Sequence, residues 1–304
     1  MKRVLVTGAT SMIGIAFINE CLKNNIEVYA VVRPDSPHIY RLPQKYECLH
    51  ILKYKLDEIE KIADLNIKMD TIFHFAWITG KSARNNAVLQ ERNIYYTAKI
   101  VELAKKLGCT KFVGAGSQAE YGWKNEKIQT NTPTTPDTAY GICKLAAGKL
   151  AQFMCEQYEL AFIWVRVFSI YGVYDKEDTM IQYALKKFIK GEKACFSSAT
   201  QKWDYLYSGD AGRAFYLLGE NENASGVYNL AYGTSRKLKE YILEIKEYLN
   251  STSEVEFDVN RNGKGIECDI SKIRRDVGFE PRVSFAEGIH NIFRWEKEHG
   301  TAED

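Results

Sequence analysis

No two of the seven cysteines (Cys21, Cys48, Cys109, Cys143, Cys155, Cys195, Cys268) form a C-x-x-C pair, and an odd number cannot all be bridged within the chain. A disulfide framework therefore has little basis, and the expectation is reduced, partly buried thiols in a cytoplasm. The five histidines show no metal-ligand spacing, so no metal is expected. His74, inside the apolar TIFHFAW, reads as a core histidine with satisfied ring nitrogens. A surplus of charge of one sign is also missing. With 41 basic and 39 acidic residues and a formal net charge of +2, spread without long runs, there is no footing for nucleic acid or an anionic membrane. No apolar stretch reaches the length of a membrane span. The opening MKRVLVTGATSMIGIAF places two basic residues before apolar ones, as a secretion signal does. Thr7, Gly8, Thr10 and Ser11 interrupt that run at once, which argues for strand, turn and helix instead. Internal repeats and low-complexity tracts are absent as well.

What is present suits a soluble globular enzyme: 304 residues, 45% hydrophobic and 26% charged. The length exceeds one typical domain and accommodates a large α/β unit with an appended lobe. The first half alternates short apolar runs (3–6, 27–32, 50–54, 71–75, 111–115, 161–167) with amphipathic segments (13–23, 93–107, 140–158). Such alternation predicts an α/β, doubly wound parallel sheet over 1–170, with right-handed crossovers and helices on both faces. Ligands on such sheets gather at the carboxyl ends of the strands, where Gly8 and Ser117 fall. From about residue 171 the rhythm changes to a helix at 179–190, a strand-like 202–207, a helix at 211–218, GVYNLA, a helix at 238–249 and an EVEFDV strand. This predicts a smaller α/β substrate lobe over 171–304, interleaved with elements that return to the sheet.

TGATSMIG (7–14), directly after the strand-like VLV, spaces Gly8, Ser11 and Gly14 at i, i+3 and i+6. The first glycine allows a tight turn, the last lets the helix pack on the sheet, and the helix amino terminus offers N–H groups to a pyrophosphate, as in Rossmann dinucleotide sites. Ser11 in the middle position can donate its hydroxyl to a phosphate. After the second strand, Arg33 stands where a carboxylate would accept the ribose hydroxyls of NAD, with Ser36 and Arg41 nearby. A cation there welcomes a 2′-phosphate, so NADP(H) is favoured and NAD(H) remains possible; Asp35 argues the other way, and a solvent-exposed arginine at a strand end is the plain alternative.

The spacing Y-x-x-x-K occurs three times, at Tyr95/Lys99, Tyr140/Lys144 and Tyr183/Lys187, so spacing alone carries nothing. Only the second follows a proline-containing polar loop (131–139) and opens an amphipathic helix, about twenty residues after Ser117. That helix is expected to bury Ile142, Leu145, Ala146, Leu150, Phe153 and Met154, with Tyr140 and Lys144 sharing a different face. A nearby ammonium and an oxidised nicotinamide would favour the phenolate of Tyr140, whose free phenol ionises near pH ~10. Ser117, Tyr140 and Lys144 are thus the candidate catalytic residues.

With these residues in hand, the chain resembles the extended short-chain dehydrogenase/reductases, the NAD-dependent epimerase/dehydratase family that acts mainly on nucleotide sugars. Beside TGATSMIG and YGICK (140–144), the likeness rests on HFAW (74–77), Asn93 opening NIYYTAKIVELAKK, GSQAEYG (116–122), RVFSIYG (166–172), QKWDYLYSGDAGRA (201–214), GVYNLA and CDISKIRRDVGFEP (268–281). The resemblance implies cofactor contacts from Thr10, Met12, Ile13, Leu56, Asp57, Phe75, Ala76, Trp77, Asn93 and Phe168, and from Tyr140 and Lys144, the lysine anchoring the nicotinamide ribose. It implies a nucleotide-sugar substrate met by Ser117, Tyr121, Ser169, Trp203 and Arg261, and a homodimer paired through the 93–107 and 140–158 helices. Two positions depart from the family: Ser169 replaces a frequent asparagine, and Trp203 a frequent arginine that meets the pyrophosphate, with Lys202 or Arg261 as substitutes.

By that chemistry Tyr140 protonates a ketone oxygen as hydride arrives, while Ser117 fixes the oxygen. A 4,6-dehydratase needs a further acid/base pair immediately after the serine; Gln118 and Ala119 stand there and Glu120 falls one residue late, which disfavours dehydration. The leading expectation is an NADP(H)-dependent reductase of a nucleotide-linked 4-keto-6-deoxyhexose. The alternatives are a 4-epimerase that recycles tightly held NAD, and a nucleotide-sensing protein without turnover, against which Ser117, Tyr140 and Lys144 speak.

Overall fold

A computed structural model describes residues 1–79 and 83–299. β1 (Arg3–Thr7), α1 (Met12–Lys23), β2 (Glu27–Val32), β3 (Leu49–Lys53), β4 (Thr71–His74), α2 (Ala87–Lys106), β5 (Lys111–Ser117), α3 (Ala139–Gln157) and β6 (Ala161–Val167) follow the predicted alternation. The strands lie in the order β11-β6-β5-β4-β1-β2-β3, and every neighbour in this seven-stranded sheet is parallel. The seventh strand, β11 (Gly226–Leu230), comes from the second half of the chain, and α5 (Ser208–Glu220) packs beside α1. The fold class is therefore the predicted one, with chain from beyond residue 171 returning to the sheet.

The sheet is apolar on both faces because helices cover both. Phe17, Ile18, Phe73 and Phe215 fill the α1/α5 side, and Leu5, Ile100, Val101, Ala151 and Trp164 the α2/α3 side. The remaining elements build the lobe: β7 (Ser169–Tyr171), α4 (Met180–Ile189), β8 (Ala194–Ser197), β9 (Lys202–Trp203), β10 (Tyr205–Tyr207), β12 (Arg236–Lys237), α6 (Leu238–Tyr248), β13 (Val255–Asp258) and α8 (Phe285–His299), whereas α7 (Ser271–Val277) returns to the sheet beside β11 and buries Ile273 in its core. Ile181, Leu185, Tyr241, Ile242, Phe285 and Ile289 form the lobe's own core. No described helix is long and apolar enough to cross a membrane.

Three expectations are corrected. The 202–207 run is two strands, because Asp204 turns inward to accept the N–H groups of Tyr232 (2.7 Å) and Gly233 (2.8 Å); β9 then pairs with β12 and β10 with β7. α2 starts at Ala87, capped by the side chain of Asn86, so Asn93 lies inside the helix and does not open it. The buried face of α3 is shifted from the one expected. Its buried side is Gly141, Cys143, Lys144, Ala147, Gly148, Ala151 and Cys155, whereas Ile142 is 52% and Phe153 59% exposed, and Leu150 is exposed too. The reason is close packing: a Cβ at Gly114, Gly116 or Gly148 would collide with the indole of Trp164, so α3 approaches β5 and β6 along a strip of small residues. Ile142, Leu150 and Phe153 are therefore left outside, whereas Leu145, Ala146 and Met154 are half-buried, Met154 against the core.

Candidate active site

At the carboxyl ends of β1, β2, β4 and β5 a cleft of about 1570 Å³ opens between the sheet and the lobe. Its floor is the β1–α1 turn. Gly8 takes φ +70°, and a Cβ there would strike the backbone of Ala76, so only glycine lets β1 end against the β4 exit. Ser11 caps α1, its Oγ accepting the N–H of Gly14 at 3.1 Å, which leaves the hydroxyl hydrogen free to donate. Thr10, Met12 and Ile13 line the cleft at the positive end of the helix, a natural seat for phosphate. Gly14 is outside the lining; a side chain there would collide with the carbonyl of Gly8, so it shapes the turn and touches nothing in the cleft.

Beyond β2, Arg33, Asp35 and Ser36 line the cleft as expected, joined by His38 and Arg41. His38 Nδ1 and Arg41 Nε are buried without a hydrogen-bond partner, and burial, with the charges of Arg41 and Arg33, lowers the His38 pKa. The unpartnered Arg41 Nε–H beside the exposed guanidinium of Arg33 could receive an anion, and His38 Nδ1 can donate to it in its Nδ1–H tautomer. Leu56 and Asp57 also line the cleft, but Asp57 is tied to α2, accepting the hydroxyl of Tyr96 at 2.6 Å. Phe75, Ala76, Trp77 and Phe168 complete this part. Asn93 does not reach it: buried in α2, it accepts the N–H of Ile78 at 2.7 Å and so holds the chain leaving β4. His74 is a buried core residue between Thr7 (2.7 Å) and Thr97 (3.2 Å), its pKa driven down to about 3 by burial.

Ser117, the last residue of β5, Tyr140 in the first turn of α3 and Lys144 one turn later line the cleft together. Burial raises the Tyr140 pKa, the nearby Ser117 hydroxyl and the charge of Arg84 oppose the rise, and Glu120 adds to it. Lys144, 4% exposed, donates to the carbonyl of Ala115 at 2.6 Å, and Nζ lies 3.6 Å from the centre of the Trp77 ring. Burial pulls its pKa down to about 7, against the pull of Glu120. Trp77 is fixed in turn by its Nε1 bond to Gln90 at 2.8 Å. The other two tyrosine–lysine pairs are outside the cleft.

Glu120 faces away from the cleft. It accepts from the N–H of Ser117 (2.7 Å), Trp164 Nε1 (2.9 Å) and Arg166 Nε (2.7 Å), so its oxygens are engaged behind the site. On the lobe side Ser169, Gln201, Trp203 and Tyr205 line the wall with Asp175, whose pKa burial raises. Tyr121 is elsewhere, buried and bonded to Asn229 at 2.7 Å. Arg261 is exposed and does not line the cleft, and Lys202 pairs with Glu267 at 3.2 Å beside a separate small hollow. Neither substitutes for the arginine that Trp203 replaces. Sequence reasoning missed Arg84, His38 and Tyr174; only Tyr174 had an unusual local conformation, φ +69° in a residue that is not glycine, and that is invisible in the sequence.

The pattern of the NAD dependent epimerase/dehydratase family matches residues 4–231. Over 308 residues the chain is 26% identical to the dTDP-4-dehydro-6-deoxyglucose reductase of Escherichia coli, with 96% of each covered. The UDP-N-acetylglucosamine 4-epimerase from Methanobrevibacter ruminantium M1, solved with UDP-N-acetylmuramic acid, superposes with a TM-score of 0.88 at 22% identity over 98% of both chains. MoeE5 in complex with UDP-glucose and NAD does so with a TM-score of 0.84 at 24% identity, over 98% of this chain and all of the other. With the dinucleotide turn, the Ser117–Tyr140 pair and a match running from β1 through β11, the chain belongs to the NAD dependent epimerase/dehydratase family.

Proposed function

We propose that the protein is an NADPH-dependent reductase of a nucleotide-linked 4-keto-6-deoxyhexose. One observation carries the reading: a single cleft joins the Ser117–Tyr140 pair to a cationic ribose end, where Arg33 is exposed and Arg41 Nε and His38 Nδ1 lack partners. The relative from Escherichia coli bears a 4-dehydro-6-deoxy sugar nucleotide in its name, in keeping with this substrate class.

When bound, the reduced nicotinamide supplies hydride. Thr10, Ser11, Met12 and Ile13 would hold the pyrophosphate, Arg33, His38 and Arg41 the 2′-phosphate, and Lys144 the nicotinamide ribose. Tyr140 gives its phenolic proton to the ketone oxygen, and Ser117 holds that oxygen against the phenol. Glu120, bound to Arg166, Trp164 and the Ser117 backbone, takes no part in proton transfer, which leaves the site without the added acid/base pair of a dehydratase.

A second reading, a 4-epimerase with retained NAD, is favoured by Asp35 in the lining, a carboxylate able to accept ribose hydroxyls. The deciding experiment is to release the copurifying cofactor and test its exchange on dialysis. Exchangeable NADPH, oxidised on adding the keto sugar nucleotide, supports the reductase; NAD that stays bound while the sugar is epimerised replaces it with the second reading. A sensing protein without turnover would need no serine, tyrosine and lysine gathered in the cleft as Ser117, Tyr140 and Lys144 are.

The outward apolar side chains of α2 and α3, among them Val88, Tyr95, Ile142, Leu150 and Phe153, support a homodimer closed by these helices. Sedimentation at micromolar concentration is expected to give a dimer, and Ile142→Glu with Phe153→Glu a monomer; a wild-type monomer of 34.8 kDa excludes the dimer. The seven unpaired thiols support a reducing, cytoplasmic home.

A further inference from the structure

The extended segment entering β9 presents alternate side chains to the cleft. Gln201 and Trp203 line the lobe wall, whereas Lys202 between them turns to the other side and pairs with Glu267 at 3.2 Å. Each of the two carries one buried polar atom without a hydrogen-bond partner among the described residues: the acceptor Oε1 of Gln201 and the donor Nε1 of Trp203. Their backbones are pinned. The Gln201 carbonyl accepts the N–H of Leu238 at 2.9 Å, Trp203 stands opposite Arg236 in the antiparallel pair of β9 with β12, and the Trp203 carbonyl accepts the Tyr241 hydroxyl at 3.2 Å. The chain at Gly263 lies so close to the Gln201 amide that a Cβ there would collide with it. Buried indole and amide groups ordinarily have partners, and leaving them without costs free energy. A pinned wall with one unmet donor and one unmet acceptor, both uncharged, suits a ligand that supplies both.

We propose that Trp203 and Gln201 read the glycosyl group of the substrate, the indole N–H donating to one hydroxyl of the sugar and the amide oxygen accepting from another. This rests on the nucleotide-sugar reading of the cleft and adds to it the residues that select the sugar. Hydroxyls are the fitting partners because each both accepts and donates without bringing charge. An ionised diphosphate can take the indole N–H, but it offers no hydrogen to Gln201, and on this wall it would meet Asp175 and Glu177 against Lys176. The Trp203 ring, 6.3 Å from that of Tyr205, adds an apolar surface for the C–H face of a pyranose.

The test measures what the sugar adds to binding. Affinities of UDP and UDP-glucose, and of dTDP and dTDP-glucose, are compared by calorimetry on the full-length protein with saturating oxidised cofactor, in the wild type and with Trp203→Phe, Gln201→Met, Trp203→Arg and Lys202→Ala. The wild type is expected to hold at least one of the sugar nucleotides about tenfold more tightly than its diphosphate. Trp203→Phe keeps a ring in the wall and removes the N–H. It and Gln201→Met should each weaken the sugar nucleotide about three- to tenfold, as for loss of one uncharged hydrogen bond, and leave the bare diphosphate unchanged. Lys202→Ala should leave the sugar's contribution intact, and Trp203→Arg should strengthen diphosphate and sugar nucleotide alike in a salt-sensitive way. Unchanged cofactor affinity shows that each variant is folded. No contribution from the sugar in the wild type, no loss in Trp203→Phe and Gln201→Met, or equal losses for diphosphate and sugar nucleotide overturns the proposal; the last would assign the pair to the nucleotide. Failure of the underlying reading looks different: NADPH would not reduce the keto sugar nucleotide, whatever the sugar contributes to binding.

Discussion

The sheet side of the cleft presents glycine, a helix amino terminus and cations: Arg33, Arg41, Lys55, Arg84 and Lys144 outnumber Asp35 and Asp57. The lobe side presents Trp203, Tyr205 and Tyr174, with Asp175 and Glu177 against Lys176. The first surface suits a polyanion held through backbone N–H groups and guanidinium forks. The second suits a group held by stacking and by neutral hydrogen bonds, because a diphosphate there would meet more negative than positive charge. One cleft therefore offers two walls of different charge. In the proposed reaction the cofactor would lie along the sheet, and the sugar end of the substrate would meet the aromatic wall.

Tyr140 stands where the two walls meet, and its loss should be the most damaging change. Tyr140→Phe preserves the ring and its contacts with Trp77 and Arg84 but removes the proton, so turnover should fall about 10²–10⁴-fold with little change in cofactor affinity. Tyr95→Phe, on the exposed face of α2, and Tyr183→Phe, half-buried against the lobe core and outside the cleft, should leave turnover nearly unchanged, and equal losses in all three would deny the junction any special role. Glu120→Gln tests what stands behind that junction. Arg166 would keep its charge in a site where its side chain is 6% exposed, with its partner neutralised. Breaking such a buried pair costs about 3–5 kcal/mol, read as a lower denaturant midpoint with unchanged slope. A loss of activity without a loss of stability would instead put Glu120 into the chemistry.

The contrast in charge is sharpened by Arg33→Ala. A charge-assisted contact with a 2′-phosphate is worth roughly 1.5–3 kcal/mol, so NADP(H) should bind about one to two orders of magnitude more weakly while NAD(H) is nearly unaffected. Raising salt should narrow the same preference in the wild type. Equal losses for both cofactors would mean that the guanidinium stacks on the base and that the sheet side does not read the phosphate.

Much of the sheet side was legible because its signals are local. A strand, a glycine turn and a capped helix lie within the first 23 residues, and Ser117 and Tyr140 each close or open an element whose periodicity is plain. α3 departs from its pattern for a physical reason: apolar size ordinarily marks burial, whereas the tight approach to Trp164 selects glycine and alanine inside and leaves Ile142, Leu150 and Phe153 outside. The strand-like 202–207 run concealed the buried Asp204, whose carboxylate is fixed by backbone from a segment almost thirty residues later. Arg84 and His38 gained their places through contacts between distant segments or through loop geometry, and neither leaves a periodic trace. The lobe wall was legible only as a departure, Trp203 for arginine, and the structure shows that neither Lys202 nor Arg261 fills the gap.

The smallest predicted effect concerns the place where the two walls touch. Arg41, from the turn after β2, lays its guanidinium 4.7 Å from the centre of the Tyr174 ring, which comes from the loop after β7 and meets Trp295 of α8 edge to face at 4.8 Å. Both residues line the cleft, so the contact joins the cationic wall to the aromatic one at the ribose end. A partly exposed cation–π contact contributes about 0.5–1 kcal/mol, which corresponds to roughly two- to fivefold in a rate constant. If this contact must open before the cofactor leaves, Tyr174→Ala should speed NADPH dissociation by that factor, whereas Tyr174→Phe, which keeps the ring, should leave it unchanged. Stopped-flow nucleotide fluorescence separates the outcomes. An unchanged rate in Tyr174→Ala would mean that the walls touch without controlling exit. An equal increase in both variants would place the effect on the phenolic hydroxyl and leave the guanidinium's contact with the ring without a role in release.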